Sequence, residues 1–410
     1  MIRLGSSLRA VAPEATLVHA RAMAERLGVS RVTDATRLDR IGIPVFTSVR
    51  PGAAPGTLCV NSGKGVRPVD AQVGAYMEAI EFALAEPGAS EVRPELATAR
   101  DVLDGHRRPS AILDFCPRLQ QGFDLDAPLA VVETHDLVTD APARVPAELV
   151  LLPYVAPLVD APGTGSFGSH SNGLASGNSV AEATLHGLLE VIERDVRSFQ
   201  AIRDTSRRVR TESLPPPARE QVRRVEAAGL EICVRWQPDG FGTPCFEALI
   251  WDRFARGSLA INGGYGCHLF AEIALLRAIS EAAQSRMSWI HGGRDDLVEL
   301  DEQLAAVPMK ERVRGAAAEF ARYAGGAEVD YAEAETRPPP VASIDQALDH
   351  TLERVLAAGL RHVCRVAFTP PDEPLQVVRV VVPGMEYFDR SSRRVGPRLH
   401  EHIRNRLAAA

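Results

Sequence analysis

The segment Ser171-Asn172-Gly173-Leu174-Ala175-Ser176-Gly177-Asn178, running on through Glu182 to Glu190-Val191-Ile192-Glu193-Arg194-Asp195, decides how this chain reads. Asparagine opens a glycine-rich piece, and a carboxylate, Glu190, follows eighteen positions later on an amphipathic stretch. The construction occurs twice more: Asn61-Ser62-Gly63-Lys64-Gly65 leads to Glu78 and Glu81, and Asn262-Gly263-Gly264-Tyr265-Gly266 leads to Glu281 and Gln284. The spacing from the asparagine to Glu78, Glu190 and Glu281 is 17, 18 and 19 residues in chain order. Glycines ahead of a helix expose backbone N–H groups to anionic oxygens, and glutamates three apart project from one helix face and can hold a divalent cation. The pattern predicts glycine loops feeding acidic helices around a magnesium–nucleotide site that lacks the usual phosphate-binding loop.

The second helix supports this geometrically. At about 100° per residue, Glu182, His186, Glu190 and Glu193 fall within an arc of roughly 80°, while Leu185, Leu188, Leu189, Ile192 and Val196 form a separate apolar stripe. A single acidic helix face is ordinarily a solvated surface. Three such helices, each after a glycine segment at nearly constant spacing, are not, because glutamates gathered together repel unless a cation joins them.

Composition bounds the function without naming it. At 410 residues the chain can bury a large core. Lys plus Arg number 46 against 53 Asp plus Glu, and the net charge of −7 gives no support for a nucleic-acid or anionic-membrane surface. The start, Met1-Ile2-Arg3-Leu4-Gly5-Ser6, lacks a long apolar core, and no apolar run reaches membrane-spanning length, so a cytoplasmic protein is expected. Six scattered cysteines without a CxxC pair argue against a zinc ribbon or a disulfide framework and read as small buried residues.

Along the chain, Glu14 to Leu27 reads as a helix, Ile41 to Val49 as an extended segment and Leu149 to Val155 as an apolar run broken by Pro153. A helix is expected from Ala218 to Ala228, then strands over Glu231 to Trp236, Cys245 to Trp251 and Ser258 to Ile261, the last feeding the third glycine loop. Pro308 to Ala324 reads as a polar helix, Arg337 to Pro340 as a surface crossing, Ile344 to Ala358 as a helix, and His362 to Phe368 and Val377 to Val382 as strands. The expected fold class is mixed α/β, one elaborate domain with internally repeated loop–helix units and no low-complexity linker.

These residues resemble the YcaO family, whose members use ATP to activate peptide amides. The resemblance is carried by the Asn172 to Asp195 segment, by Gly63-Lys64-Gly65 with Met77-Glu78-Ala79-Ile80-Glu81, by Arg277-Ala278-Ile279-Ser280-Glu281-Ala282-Ala283-Gln284-Ser285-Arg286, and by Leu38 to Val45 and Val380 to Glu386. It covers about Arg31 to Tyr387, with residues 1–30 as a helical extension and 388–410 as a tail.

The resemblance implies that Glu78, Glu81, Glu182, Glu190 and Glu193 bind magnesium. ATP contacts are implied for Lys64, Glu78, Glu81, Ser176, Asn178, Glu182, Arg194, Glu281, Gln284 and Arg286, with Glu190, Glu193 and Arg194 closest to the chemistry. Family members phosphorylate the oxygen of a backbone amide after a nucleophile has added to the carbonyl, and then expel phosphate. No protein nucleophile is needed: Cys267 has no activating partner evident in the sequence and reads as structural, while His170 and His186 lie near the second motif as proton-shuttle candidates.

Azoline-forming members commonly end in a proline-rich tail, whereas this chain ends Arg404-Asn405-Arg406-Leu407-Ala408-Ala409-Ala410. Its Ile41-Gly42-Ile43-Pro44 and Val382-Pro383-Gly384 segments look most like members that make peptide thioamides with a TfuA-type partner. The expected partners are therefore a ribosomally made peptide or protein substrate, a TfuA-type protein, and sulfide or a sulfur carrier, with no nucleic acid and no membrane; a homodimer is compatible with this. The alternatives are an azoline- or amidine-forming cyclodehydratase, a non-catalytic nucleotide-binding scaffold, and, with no resemblance behind it, a carboxylate–amine ligase.

Overall fold

The computed structural model describes residues 1–408 except 120–121, 123, 157, 256–258, 295, 298–308, 336–339 and 389–392. The Arg256–Gly257 turn, Ser258, Pro308 and the Arg337 to Pro339 crossing lie outside the described residues. The chain divides into two compact units, each discontinuous: residues 1–53, 58–80 and 205–341 form one, and residues 54–57, 81–204 and 342–410 the other.

The first unit holds a short antiparallel pair β1 (Ile2–Arg3) and β2 (Leu8–Arg9), helix α1 (Pro13–Arg26), and an antiparallel sheet of β3 (Arg31–Asp34), β4 (Val45–Val49) and β5 (Val60–Lys64). Helix α2 (Pro68–Ala85) follows, its last residues from Glu81 belonging to the second unit. A five-stranded sheet is built from β10 (Arg207–Val209), β11 (Glu231–Trp236), β12 (Cys245–Trp251), β13 (Ile261–Cys267) and β14 (Glu328–Val329) in the order β13-β12-β11-β10-β14, antiparallel except for the β10–β14 edge. Helices α4 (Pro216–Ala227) and α5 (Ala271–His291) close its core around Phe246, Ile250, Leu275 and Ile279. Helix α6 (Met309–Ala324) brings Phe320 onto Trp251.

The second unit is built on an antiparallel sheet of β6 (Glu95–Thr98), β7 (Pro128–Asp136), β15 (Cys364–Ala367), β16 (Gln376–Val381) and β9 (Leu174–Gly177) in that order, with β8 (Ala141–Pro146) paired to β7. Helix α3 (Val180–Ile202) lies against β9 and β16. Ser179 caps it by accepting the Glu182 N–H at 3.1 Å, and burial of Leu188 and Ile192 anchors its apolar stripe. Helices α7 (Ile344–Ala357) and α8 (Pro397–Ala408) complete the unit; α8 occupies what the sequence suggested was only a tail. The Leu149 to Val155 run is buried but forms no strand, its first residue ending a 3-10 turn.

The glycine motifs correct the expectation of loops. Each lies largely on a strand, β5, β9 or β13, and the helix after it packs backbone to backbone on that strand. A Cβ on Gly63 would sit 2.1 Å from both the Ala71 oxygen and the Ala75 nitrogen of α2. One on Gly264 would meet the Ala282 nitrogen of α5 at 2.1 Å, and one on Gly177 the Ala183 nitrogen of α3 at 2.7 Å. Real side chains do not approach that closely, so the glycines, facing alanines on the helix, are there to let strand and helix touch. The expected third strand starts at Ile261, where the reading had it end, and the glycines continue it. Among the described residues no helix is long and apolar enough to cross a membrane.

Candidate functional site

In the first unit, strand β5 is the organising element. Lys64 at its end donates from Nζ to Glu281 Oε2 of α5 at 2.7 Å, both side chains about one-fifth exposed. One turn along α5, Gln284 donates its amide to the Ser62 carbonyl, while the Ser62 N–H donates to Glu78 Oε2 of α2 at 3.1 Å. Three hydrogen-bonding groups from two helices thus converge on Ser62 and Lys64. Packing α2 and α5 this close is what the glycines permit.

Arg286 sits differently. Its guanidinium donates to Asp39 at 3.0 Å, reaches Asp252 at 3.1 Å and donates to the Leu259 carbonyl at 3.2 Å, with its side chain 6% exposed. Arg40 joins Asp252 at 3.1 Å. With its three nitrogens engaged, Arg286, expected among the nucleotide contacts, ties α5 to Asp39, Asp252 and Leu259.

In the second unit, Ser176 on β9 donates its hydroxyl to Glu81. Asn178 donates to both oxygens of Glu182, at 3.1 and 3.3 Å, and Glu182 is only 2% exposed. Glu190 accepts the N–H of Gly173 at 3.1 Å, and Glu193, 5% exposed, faces Arg194 at 3.3 Å. The acidic edge of α3 is therefore largely sunk into the protein. Glu78 and Glu190 stand in matching positions: each takes the N–H of the residue after its motif asparagine, Ser62 in one unit and Gly173 in the other. Within neither unit, among the described residues, do three His, Cys, Asp or Glu groups form a ready-made metal cluster, since each carboxylate is held by an internal donor.

The asparagines that open the motifs are notable for what they leave unmade. Asn61, fully buried, has both polar side-chain atoms without a hydrogen-bond partner, and the side-chain oxygens of Asn172 and Asn262 are likewise buried and unpartnered. Two buried arginines escaped the sequence reading. Arg379 of β16 is wholly buried and donates to the carbonyls of Val150, Asn172 and His170; Arg394 donates to those of Phe115 and Cys116 and contacts His170. The available signal was a lone arginine inside the apolar run Val377 to Val382. Burial, reinforced by the charges of Arg394, Arg379 and Arg194, holds His170 well below the usual histidine range, so it is neutral at pH 7. Burial pushes Arg379 down to about 10, which leaves it charged. The cysteines are all free thiols, five of them buried, and Cys267 is among those five.

Residues 62–386 match the family described as YcaO cyclodehydratase, ATP- and Mg2+-binding. The chain belongs to the YcaO family. A protein of undetermined function from Methanothermobacter thermautotrophicus is 34% identical over 96% of this YcaO chain and 99% of its own length. A Rhizobium leguminosarum bv. trifolii protein, known only by its place in the tfuA 3' region, is 31% identical over 92% of this chain and 88% of its own. Among solved structures, YcaO from Methanopyrus kandleri, bound with AMPPCP and Mg2+, superposes with a TM-score of 0.71 and 26% identity, covering 95% of this chain and 96% of that one. A heterocyclase solved with substrate and cofactor shares the fold, with a TM-score of 0.68 and 21% identity over 97% of this chain and 55% of its own.

Proposed function

We propose that this YcaO protein uses ATP to phosphorylate the oxygen of a peptide backbone amide, and that its product is a thioamide made with a TfuA-type partner and a sulfur donor. The observation that carries the first half is the gathering of Glu78, Glu281, Gln284 and Lys64 around Ser62–Lys64 on a chain whose family binds ATP and Mg2+. The second half is supported by the relative in the tfuA 3' region.

The side chains suit the groups. Magnesium takes hard oxygen donors, and Glu78, Glu81, Glu182, Glu190 and Glu193 offer only carboxylate oxygens. Magnesium bound there would neutralise charge on the nucleotide phosphates. Lys64 and Arg194 carry the positive charge that a transferring phosphoryl group requires, and Glu281 and Gln284 in the first unit and Ser176 and Asn178 in the second are polar groups suited to nucleotide contacts. Arg286 acts from behind, fixing α5.

The chemistry needs no protein nucleophile. Hydrosulfide adds to the amide carbonyl, forming a C–S bond as the π pair moves onto oxygen. That oxygen takes the γ-phosphoryl group of ATP as the bond between the β- and γ-phosphates breaks and ADP leaves. Loss of the S–H proton and cleavage of the C–O bond release phosphate and leave C=S, so oxygen departs on a good leaving group rather than as hydroxide.

The test is to combine the protein with a TfuA-type partner, sulfide, ATP and a candidate peptide and to weigh the product. Oxygen exchanged for sulfur is the expected result. Loss of water instead would assign an azoline-forming cyclodehydratase, and nucleotide binding without peptide-dependent phosphate release would assign a scaffold.

A further inference from the structure

Among the described residues, two buried guanidiniums in the second unit have no carboxylate within ion-pair distance. Arg379 is 0% exposed and Arg394 is 4% exposed, and their donors go to carbonyls and to His170. A buried charge is ordinarily paired, because leaving it uncompensated costs several kcal/mol. The carboxylates whose charges act on them do so from beyond ion-pair distance, Glu190 and Glu81 on Arg379 and Glu148 and Glu386 on Arg394, and the acids near Arg394 also serve other donors. Asp114 pairs with Arg108 at 2.7 Å; Glu386 accepts the N–H groups of Gly396 and Leu399; Glu148 accepts those of Gly165, Phe167 and Gly168.

Arg394 lines a cavity of about 30 Å³ with His170, Asn172, Tyr387, Asp114 and Val191. Arg379 lies behind it, holding the carbonyls of His170 and Asn172. That volume holds one or two water-sized species and is too small for a phosphate. The Asn172 side-chain oxygen is buried without a partner, and a half-turn of the amide would present its NH2 instead. The next residue's N–H is the one that binds Glu190, so the cavity adjoins the acidic helix.

We infer that this cavity, bounded by Arg394, His170, Tyr387 and Asn172 and backed by Arg379, is a binding site for one small monovalent anion, and that in the working enzyme the anion is hydrosulfide. The assignment to hydrosulfide rests on the thioamide reading above; the anion site does not. Two guanidiniums supply the counter-charge, and the apolar part of the wall, formed by Phe115, Val191, Val380 and Met385, suits a polarisable sulfur. Chloride, of the same charge and similar size, competes for the place.

The test uses the full chain and two cavity-filling variants, Asn172→Leu and Val191→Ile, the second keeping the test open if the first does not fold. Crystals of the native protein soaked in bromide should show an anomalous peak in the cavity, and those of a folded variant should not. In the reconstituted thioamide reaction, either folded variant should raise the KM for sulfide about tenfold, with the KM values for ATP and peptide within about twofold of native, and chloride should compete with sulfide in the native enzyme. No bromide peak overturns the anion site. A bromide peak with an unchanged sulfide KM in the variants, or with no thioamide formed under any condition, overturns the hydrosulfide assignment, and the latter result also overturns the thioamide reading itself.

Discussion

Lys64 and Glu281, separated by 217 positions, meet as an ion pair of 2.7 Å. One stands at the end of a strand in the first motif and the other on the helix of the third, so the pair records that two of the repeated units act on one place. Both side chains are about one-fifth exposed, so the pair's contribution to stability is on the order of 1 kcal/mol or less.

Lys64→Met should therefore lower the melting temperature little but raise the KM for ATP about tenfold, because the charge matters chiefly when phosphate oxygens are present. Thermal unfolding and steady-state ATP turnover measure the two effects separately. An unchanged KM would remove Lys64 from the nucleotide contacts.

Glu190→Gln and Glu193→Gln should reduce peptide-dependent phosphate release by about a hundredfold or more while leaving the fold intact. In Glu190→Gln the amide oxygen can still accept the Gly173 N–H, which is why folding should survive. Phosphate release at the native rate in both variants would exclude these side chains from the reaction.

Gly63→Ala and Gly264→Ala should destabilise by about 3 kcal/mol or more, since each added carbon would fall 2.1 Å from helix backbone and the strand and helix would have to part. Gly315→Ala on α6 is the control: nothing lies within 4 Å, and the change should stabilise by about 0.5–1 kcal/mol. Urea unfolding of the three variants compares them. Equal stabilities would contradict the packing account of the motif glycines.

How much of this was legible in advance differs by level. The strands Glu231 to Trp236 and Cys245 to Trp251 follow from short, mostly apolar runs bounded by turn residues, the second buried along nearly its whole length. The pairing of carboxylates with glycine segments was visible too. What glycine does there was not: a run such as Asn262-Gly263-Gly264 has no side-chain pattern to mark it as a strand, and its helix partner is known only once α5 is placed. The partners of Arg286 were hidden for a related reason, since Asp39 and Asp252 are remote from it in sequence. The pairing of Arg394 with His170, 224 positions apart, left no local trace.

Acid should destabilise the first unit in a specific way. Burial, with the charges of Arg277, Arg3 and Arg9, lowers His268 to about 3. A histidine depressed in the folded state contributes stability that is present above its unfolded value near 6.5 and is lost as pH falls toward the folded value, because the unfolded chain takes up the proton. His268→Asn, which can still accept the Phe270 N–H, should flatten the decline in unfolding free energy between pH 6.5 and about 4 by up to about 1.4 kcal/mol per pH unit. Parallel pH profiles for native and variant protein would contradict a buried neutral His268.

In the proposed reaction ATP delivers its phosphoryl group to the oxygen of a peptide amide. A substrate peptide carrying heavy oxygen at the modified carbonyl, turned over with ATP, sulfide and the TfuA-type partner, tests it by mass spectrometry of the released phosphate. The label is expected to leave the peptide and appear in phosphate in step with product. Unlabelled phosphate, released while product forms, would contradict it.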